Sequence, residues 1–218
     1  MADLIVDVDS NGNGNGADPF YVSGHTPYKR MPSTSVQELL VAALAQAFPT
    51  VPWDDSIEDT ARRLAGYWDE FNPAKHEGDL DFEFRTFPAE GKQMVMVSDI
   101  QLTSMCAHHL LPTVGRVHVG YIPMALQVGL SKIPRLVDFW AKRPQVQERL
   151  MVQISNDLKR RLQPMGVMVV IEAKHMCMCA RGVRKDDGVM ITSLPSGVYL
   201  SNPAARDEFF NLLRDRHR

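Results

Sequence analysis

Three cysteines and three histidines, gathered in two short segments, carry most of the chemistry open to this 218-residue sequence. Cys106-Ala107-His108-His109 sets a thiol and an imidazole three residues apart, close enough to meet at one ion. Zinc favours that mixture of sulfur and nitrogen ligands. A second segment, His175-Met176-Cys177-Met178-Cys179-Ala180-Arg181, follows an apolar run. If that run is a strand that continues, alternation puts His175, Cys177, Cys179 and Arg181 on one face. Cys106, His109 and Cys177 would then make a set of two cysteines and one histidine with a fourth position open to water. Zinc brings the pKa of such a water towards neutrality, which suits hydrolysis. His108 and His175 would stand beside it as proton carriers, because imidazole titrates near neutral pH. Two other readings stay open on spacing alone. One is a closed structural zinc with Cys179 as fourth ligand, and the other is a buried thiol beside a hydrogen-bonded histidine.

These residues need elements to hold them. Ser35 is placed to cap a helix over 36–48, where Leu39, Leu40, Ala43, Leu44 and Ala47 recur at helical spacing. Asp55 and Glu58 read as a capping box opening a second helix to about residue 71. From Leu80 the period changes to two through Phe82, Phe84 and Thr86, and 94–97 and 116–122 follow as strands of an antiparallel sheet. Residues 131–143 and 144–163 read as two helices. In the second, Val146, Leu150, Ile154, Leu158 and Leu162 form one row, and Pro144 suits the first turn. A strand over 166–173, another over 189–193 and a closing helix over 204–214 complete an α+β domain, 33–218. Residues 1–32, with alternating Asn and Gly from 11 to 16, read as a mobile arm.

Composition narrows the class. Hydrophobic residues make up 44% and charged residues 23%, ordinary for a soluble domain, and no apolar run approaches the roughly 18 residues of a membrane helix. Residues 1–9 lack the basic and apolar regions of a secretory signal, so a cytoplasmic protein is expected, one that the odd set of three cysteines also suits. A net charge of -2 gives no footprint for nucleic acid. The His-x-Glu and Pro-Cys-x-x-Cys signature of the zinc nucleobase deaminases is absent. His118 shares a strand face with Arg116 and reads as solvated or hydrogen-bonded, while His25, His76 and His217 fall in loops or tails.

Four segments in order, Ser104-Met105-Cys106-Ala107-His108-His109, Gly129-Leu130-Ser131-Lys132-Ile133, Arg143-Pro144-Gln145-Val146-Gln147-Glu148-Arg149-Leu150 and His175-Met176-Cys177 through Arg181-Gly182, resemble the GTP cyclohydrolase I family over about residues 35–214. The resemblance implies a tunnelling fold whose subunit sheets join into a ring. It further implies a homo-oligomer of two face-to-face pentamers, a decamer, with sites between subunits. The implied reaction is zinc-dependent hydrolysis of GTP to formate and 7,8-dihydroneopterin triphosphate, the first step of a pterin, folate or deazapurine pathway. In this scheme Cys106, His109 and Cys177 hold Zn2+, His108 and His175 move protons, and Ser131 assists the rearrangement of the ribose. Glu148, with Gln147, receives the guanine edge, where a carboxylate can accept two donors. Ser131, Lys132, Arg135 and Arg181 line the ribose and triphosphate, and Arg62 reaches phosphate from a neighbouring subunit. One departure is plain: Ala107 stands where the family usually has glutamate, which removes a carboxylate able to orient a histidine. The rival reading is a non-catalytic purine- or pterin-binding module of the same fold with structural zinc.

Overall fold

Leu150, Ile154, Leu158 and Leu162 recur every fourth residue, and each is at most 1% exposed; this row seats a long helix against a sheet. The structure, a computed structural model, describes residues 35–51, 56–75 and 84–215. The expected arm, the capping residue Asp55 and the strand positions around Phe82 lie outside them.

Two N-terminal helices, α1 (Val36–Ala47) and α2 (Ser56–Asp69), pack on each other. Then come β1 (Thr86–Pro88), β2 (Val95–Cys106), β3 (Pro112–Ile122) and β4 (Leu126–Val128). They are followed by α3 (Lys132–Ala141), β5 (Pro144–Gln145), α4 (Gln147–Leu162), β6 (Gly166–His175) and α5 (Met176–Cys179). The described chain ends with β7 (Met190–Pro195), α6 (Val198–Ser201) and α7 (Pro203–Asp215). Strands β1 and β4 form a small antiparallel ribbon. The main sheet has the order β5-β2-β3-β6-β7, antiparallel except where β5 lies parallel to the end of β2.

Alternation divides the sheet's side chains between two cores. Ile100, Leu102, Val117, Val119, Val169 and Ile171 face α3 and α4, and Met168, Val170 and Ile122 face Tyr199 of α6 and Phe209 of α7. Ile154 lies at the centre of the first core and is fully buried. Ile154→Ala is therefore expected to cost about 2–5 kcal/mol of unfolding free energy, read from denaturant midpoints at constant slope.

Two expectations are corrected. Pro144 does not open a helix: Pro144 and Gln145 pair in parallel with Met105 and Cys106, the Ala107 N–H donates to Gln145 O at 2.9 Å, and α4 starts only after Val146 in extended backbone. The strand before Cys177 does not continue either. His175 opposite Thr113 is the last pair of β6 with β3; the next partner would be Pro112, which has no N–H to give, and the chain coils into the single turn of α5. His118 is fully buried and accepts the Asp99 N–H on Nδ1 at 3.0 Å, across an irregularity in β2 where Asp99 has φ 57°. It is hydrogen-bonded rather than solvated.

Candidate active site

The ends of β2 and β6 and the starts of β3 and α4 meet at one end of the main sheet, and the chemistry segments sit there. Cys106 closes β2. A tight turn follows, held by Leu110 N–H to Cys106 O and Cys106 N–H to Leu111 O, both at 2.8 Å, with Leu110 at φ 53°. The turn folds His109 back so that its Nδ1 lies 3.6 Å from Cys106 Sγ. From the other side α5 delivers Cys177, and the ligand atoms of Cys106, His109 and Cys177 all lie within 4.8 Å of one another. Among the described residues this group has three members, and Cys179 is not one. Close packing keeps the segments in place: a Cβ on Gly115 would fall 2.0 Å from the Glu172 carbonyl oxygen of β6. Gly115→Ala should therefore push β3 from β6 and lower the melting temperature, as differential scanning fluorimetry would show.

The donor set fits a zinc ion. With bonds of about 2.3 Å to sulfur and 2.0 Å to nitrogen at tetrahedral angles, two such ligands stand about 3.5 Å apart, close to the Cys106–His109 separation. Burial, and then the hydrogen bond and charge of Cys106, push the Cys177 thiol up from its ordinary value. Two thiols so placed resist ionising together, and a divalent cation relieves that repulsion.

Around the group stand the other expected residues. The Arg181 guanidinium lies 2.7 Å from His109 Nε2. His108 is exposed, its ring edge-on to His109 with centroids 6.3 Å apart. His175 lies between Thr113 and Gln147; burial lowers its pKa, and the charge of Glu148 opposes that. Glu148 itself is exposed in the first turn of α4. Gln147 is buried, and both its N–H groups are directed to acceptors inside the protein, away from any entering base.

The structure does not bring every expected residue to the cysteines. Ser131 precedes α3 with its hydroxyl exposed and making no capping bond, and Lys132 and Arg135 follow it. Ser131 lines a cleft of about 930 Å³ between α3 and the free side of β2, and none of Cys106, His109 and Cys177 lines that cleft. Arg62 lies on α2, where it binds Asp59 at 2.8 Å; with Arg63 it holds that carboxyl below its ordinary range. Thr113, whose hydroxyl is 3.3 Å from His175 Nδ1, went unnoticed in the sequence. Only the β3–β6 register shows that the two residues are opposite.

A three-donor thiol–imidazole group with further imidazoles close by could hold a metal ion. Comparison with known proteins gives the class a name. The family profile described as GTP cyclohydrolase I matches residues 35–214. "GTP cyclohydrolase 1" of Methylococcus capsulatus is 41% identical over 180 residues, covering 82% of this chain and 97% of that protein. Its namesake in Pelotomaculum thermopropionicum is 43% identical over 178 residues, 81% of this chain and 95% of that protein. "GTP cyclohydrolase 1 2" of Pseudomonas syringae pv. tomato reaches 49% over 128 residues, 59% of this chain and 71% of that protein. The chain belongs to the GTP cyclohydrolase I family.

Proposed function

We propose that the protein hydrolyses GTP, opening the imidazole ring of the base, releasing formate and reclosing the remainder as 7,8-dihydroneopterin triphosphate. The observation that carries this reading is the convergence of Cys106, His109 and Cys177 beside His175 in a chain of this family. Zinc held by those three residues would supply Lewis acidity and an acidified water. His108 and His175 take up and return protons as the purine ring opens and recloses. Glu148 accepts from the N1–H and amino group of guanine, which sets the base. Arg181, Lys132 and Arg135 hold the ribose and triphosphate, and the uncommitted Ser131 hydroxyl serves the rearrangement of the sugar. Three ligands rather than four favour catalysis over the closed structural zinc of a binding module. Incubation with GTP, following formate and pterin fluorescence together, tests the reaction: neither product should form without zinc, and both should return when it is added.

The fold we assign is the tunnelling fold, assembled as a ring-shaped homo-oligomer, two pentamers making a decamer. Over 95–104 β2 has no partner on its outer side among the described residues, and β7 has none on its own outer side. Such edges invite pairing with another copy. The separation of the Ser131 cleft from the cysteine group supports a site shared between copies, with Arg62 reaching in from a neighbour. Cys177→Ser and Lys132→Ala should each be inactive alone yet recover activity when co-assembled, up to about a quarter of wild type for random heterologous mixing. Light scattering on the active sample should report a large ring-sized species, and a fully active monomer would refute the assembly. Reduced cysteines suit a cytoplasmic protein, and among the described residues no helix is long and apolar enough to cross a membrane.

A further inference from the structure

The Gln147 amide is oriented by what surrounds it. Its Nε2 lies 3.1 Å from Ile171 O, 3.2 Å from Met190 O and 3.0 Å from Thr192 Oγ1. Carbonyl oxygens only accept, so this end of the amide is the NH2 group, and Oε1 is fixed at the other end. Oε1 lies 2.8 Å from His175 Nε2. An amide oxygen also only accepts, so Nε2 carries the hydrogen and donates it. Nδ1 is then the ring's basic nitrogen, and it faces the Thr113 hydroxyl at 3.3 Å. Gln147 is 4% and Thr113 6% exposed. The small cavity beside them, about 10 Å³, has room for no more than one water.

We propose that Gln147 is a positioning residue that holds His175 as its Nε2–H tautomer and so makes Nδ1, beside Thr113, the nitrogen available to the reaction. The backbone carbonyls of β6 and the start of β7 thereby set the tautomer of a histidine at the end of the same sheet. The kinetic consequence rests on His175 acting in GTP hydrolysis; the tautomer does not.

The test uses the full-length, zinc-loaded protein with 15N-labelled histidine in mildly alkaline buffer, with His175 assigned by difference from His175→Asn. The wild-type signal should be that of the Nε2–H form. Gln147→Leu, which leaves Nε2 without its acceptor, should let the Nδ1–H form appear beside it. In GTP turnover Gln147→Leu should lower kcat about tenfold or more, the scale on which orienting partners act, with KM within about twofold as expected when substrate binding is untouched. An Nδ1–H signal in the wild type would overturn the proposal, as would a Gln147→Leu variant whose KM rises while kcat holds, since that places Gln147 at the base. The wild-type spectrum decides the tautomer even if Gln147→Leu does not fold. A wild type that shows the Nε2–H form but releases no formate would sink the assigned reaction and leave the positioning role standing.

Discussion

Cys177→Ser is expected to empty the metal site and reduce formate release from GTP to background, while Cys179→Ser keeps both. The two cysteines are neighbours on one short helical turn, yet only Cys177 aims its sulfur at Cys106 and His109. Residues two apart on a helix point about 200° apart, so the turn that brings one sulfur in carries the other away. Replacing a thiolate by a hydroxyl removes a third of the protein's hold on the ion, and zinc binds a neutral alcohol poorly. The loss should show as zinc content after dialysis, measured by atomic emission on folded protein with an unchanged circular dichroism spectrum. Zinc lost from Cys179→Ser and kept in Cys177→Ser would reverse the assignment, and zinc lost from both would restore the closed four-ligand site.

Glu148→Gln should be nearly as damaging, by a different route. Guanine presents two donors to this position, and a carboxylate accepts both, whereas an amide accepts with its oxygen and turns an N–H against the other donor. A buried donor left unpaired costs about 1–3 kcal/mol or more, so kcat/KM for GTP should fall about 5- to 150-fold. Because the Glu148 charge also acts on His175, GTP should be compared with ITP, which lacks the exocyclic amine. A guanine anchor predicts that the wild type prefers GTP and that the variant loses much of the preference. Equal slowing on both nucleotides would move Glu148 from the base to the histidine, and unchanged kinetics would remove it from the site.

Some of this was legible in the sequence because it is local. Cys106 and His109 converge through one tight turn, whose consequence follows from their spacing. The periodic row of α4 and the strand character of 166–173 came from pattern alone and were found in place. What could not be read depends on pairing at a distance. Pro144 becomes a strand because β2 passes beside it, and β6 stops because its partner begins with a proline. Cys177 was assigned on an alternation that the chain abandons two residues earlier, so it reaches the site by a helical turn rather than by strand parity. Gln147 is expected, with Glu148, at the guanine edge. Its direction was not legible, since three acceptors on β6 and β7 decide it.

Between the two long sides of the main sheet that have no partner among the described residues lie four strands, β2, β3, β6 and β7, each antiparallel to the next. The number is even, so β2 and β7 run in opposite directions. A second copy brought up by a simple rotation, its β2 beside this β7, extends the alternation with no strand out of sense. In the proposed ring such a seam would make the hydrogen bonds of the interior, and every added copy would leave the same two sides exposed. An arc of any length is as adhesive as a single chain. Only closure removes the last pair of edges, so assembly should run to completion over a narrow range of protein concentration, with few partial arcs between the free chain and the closed circle.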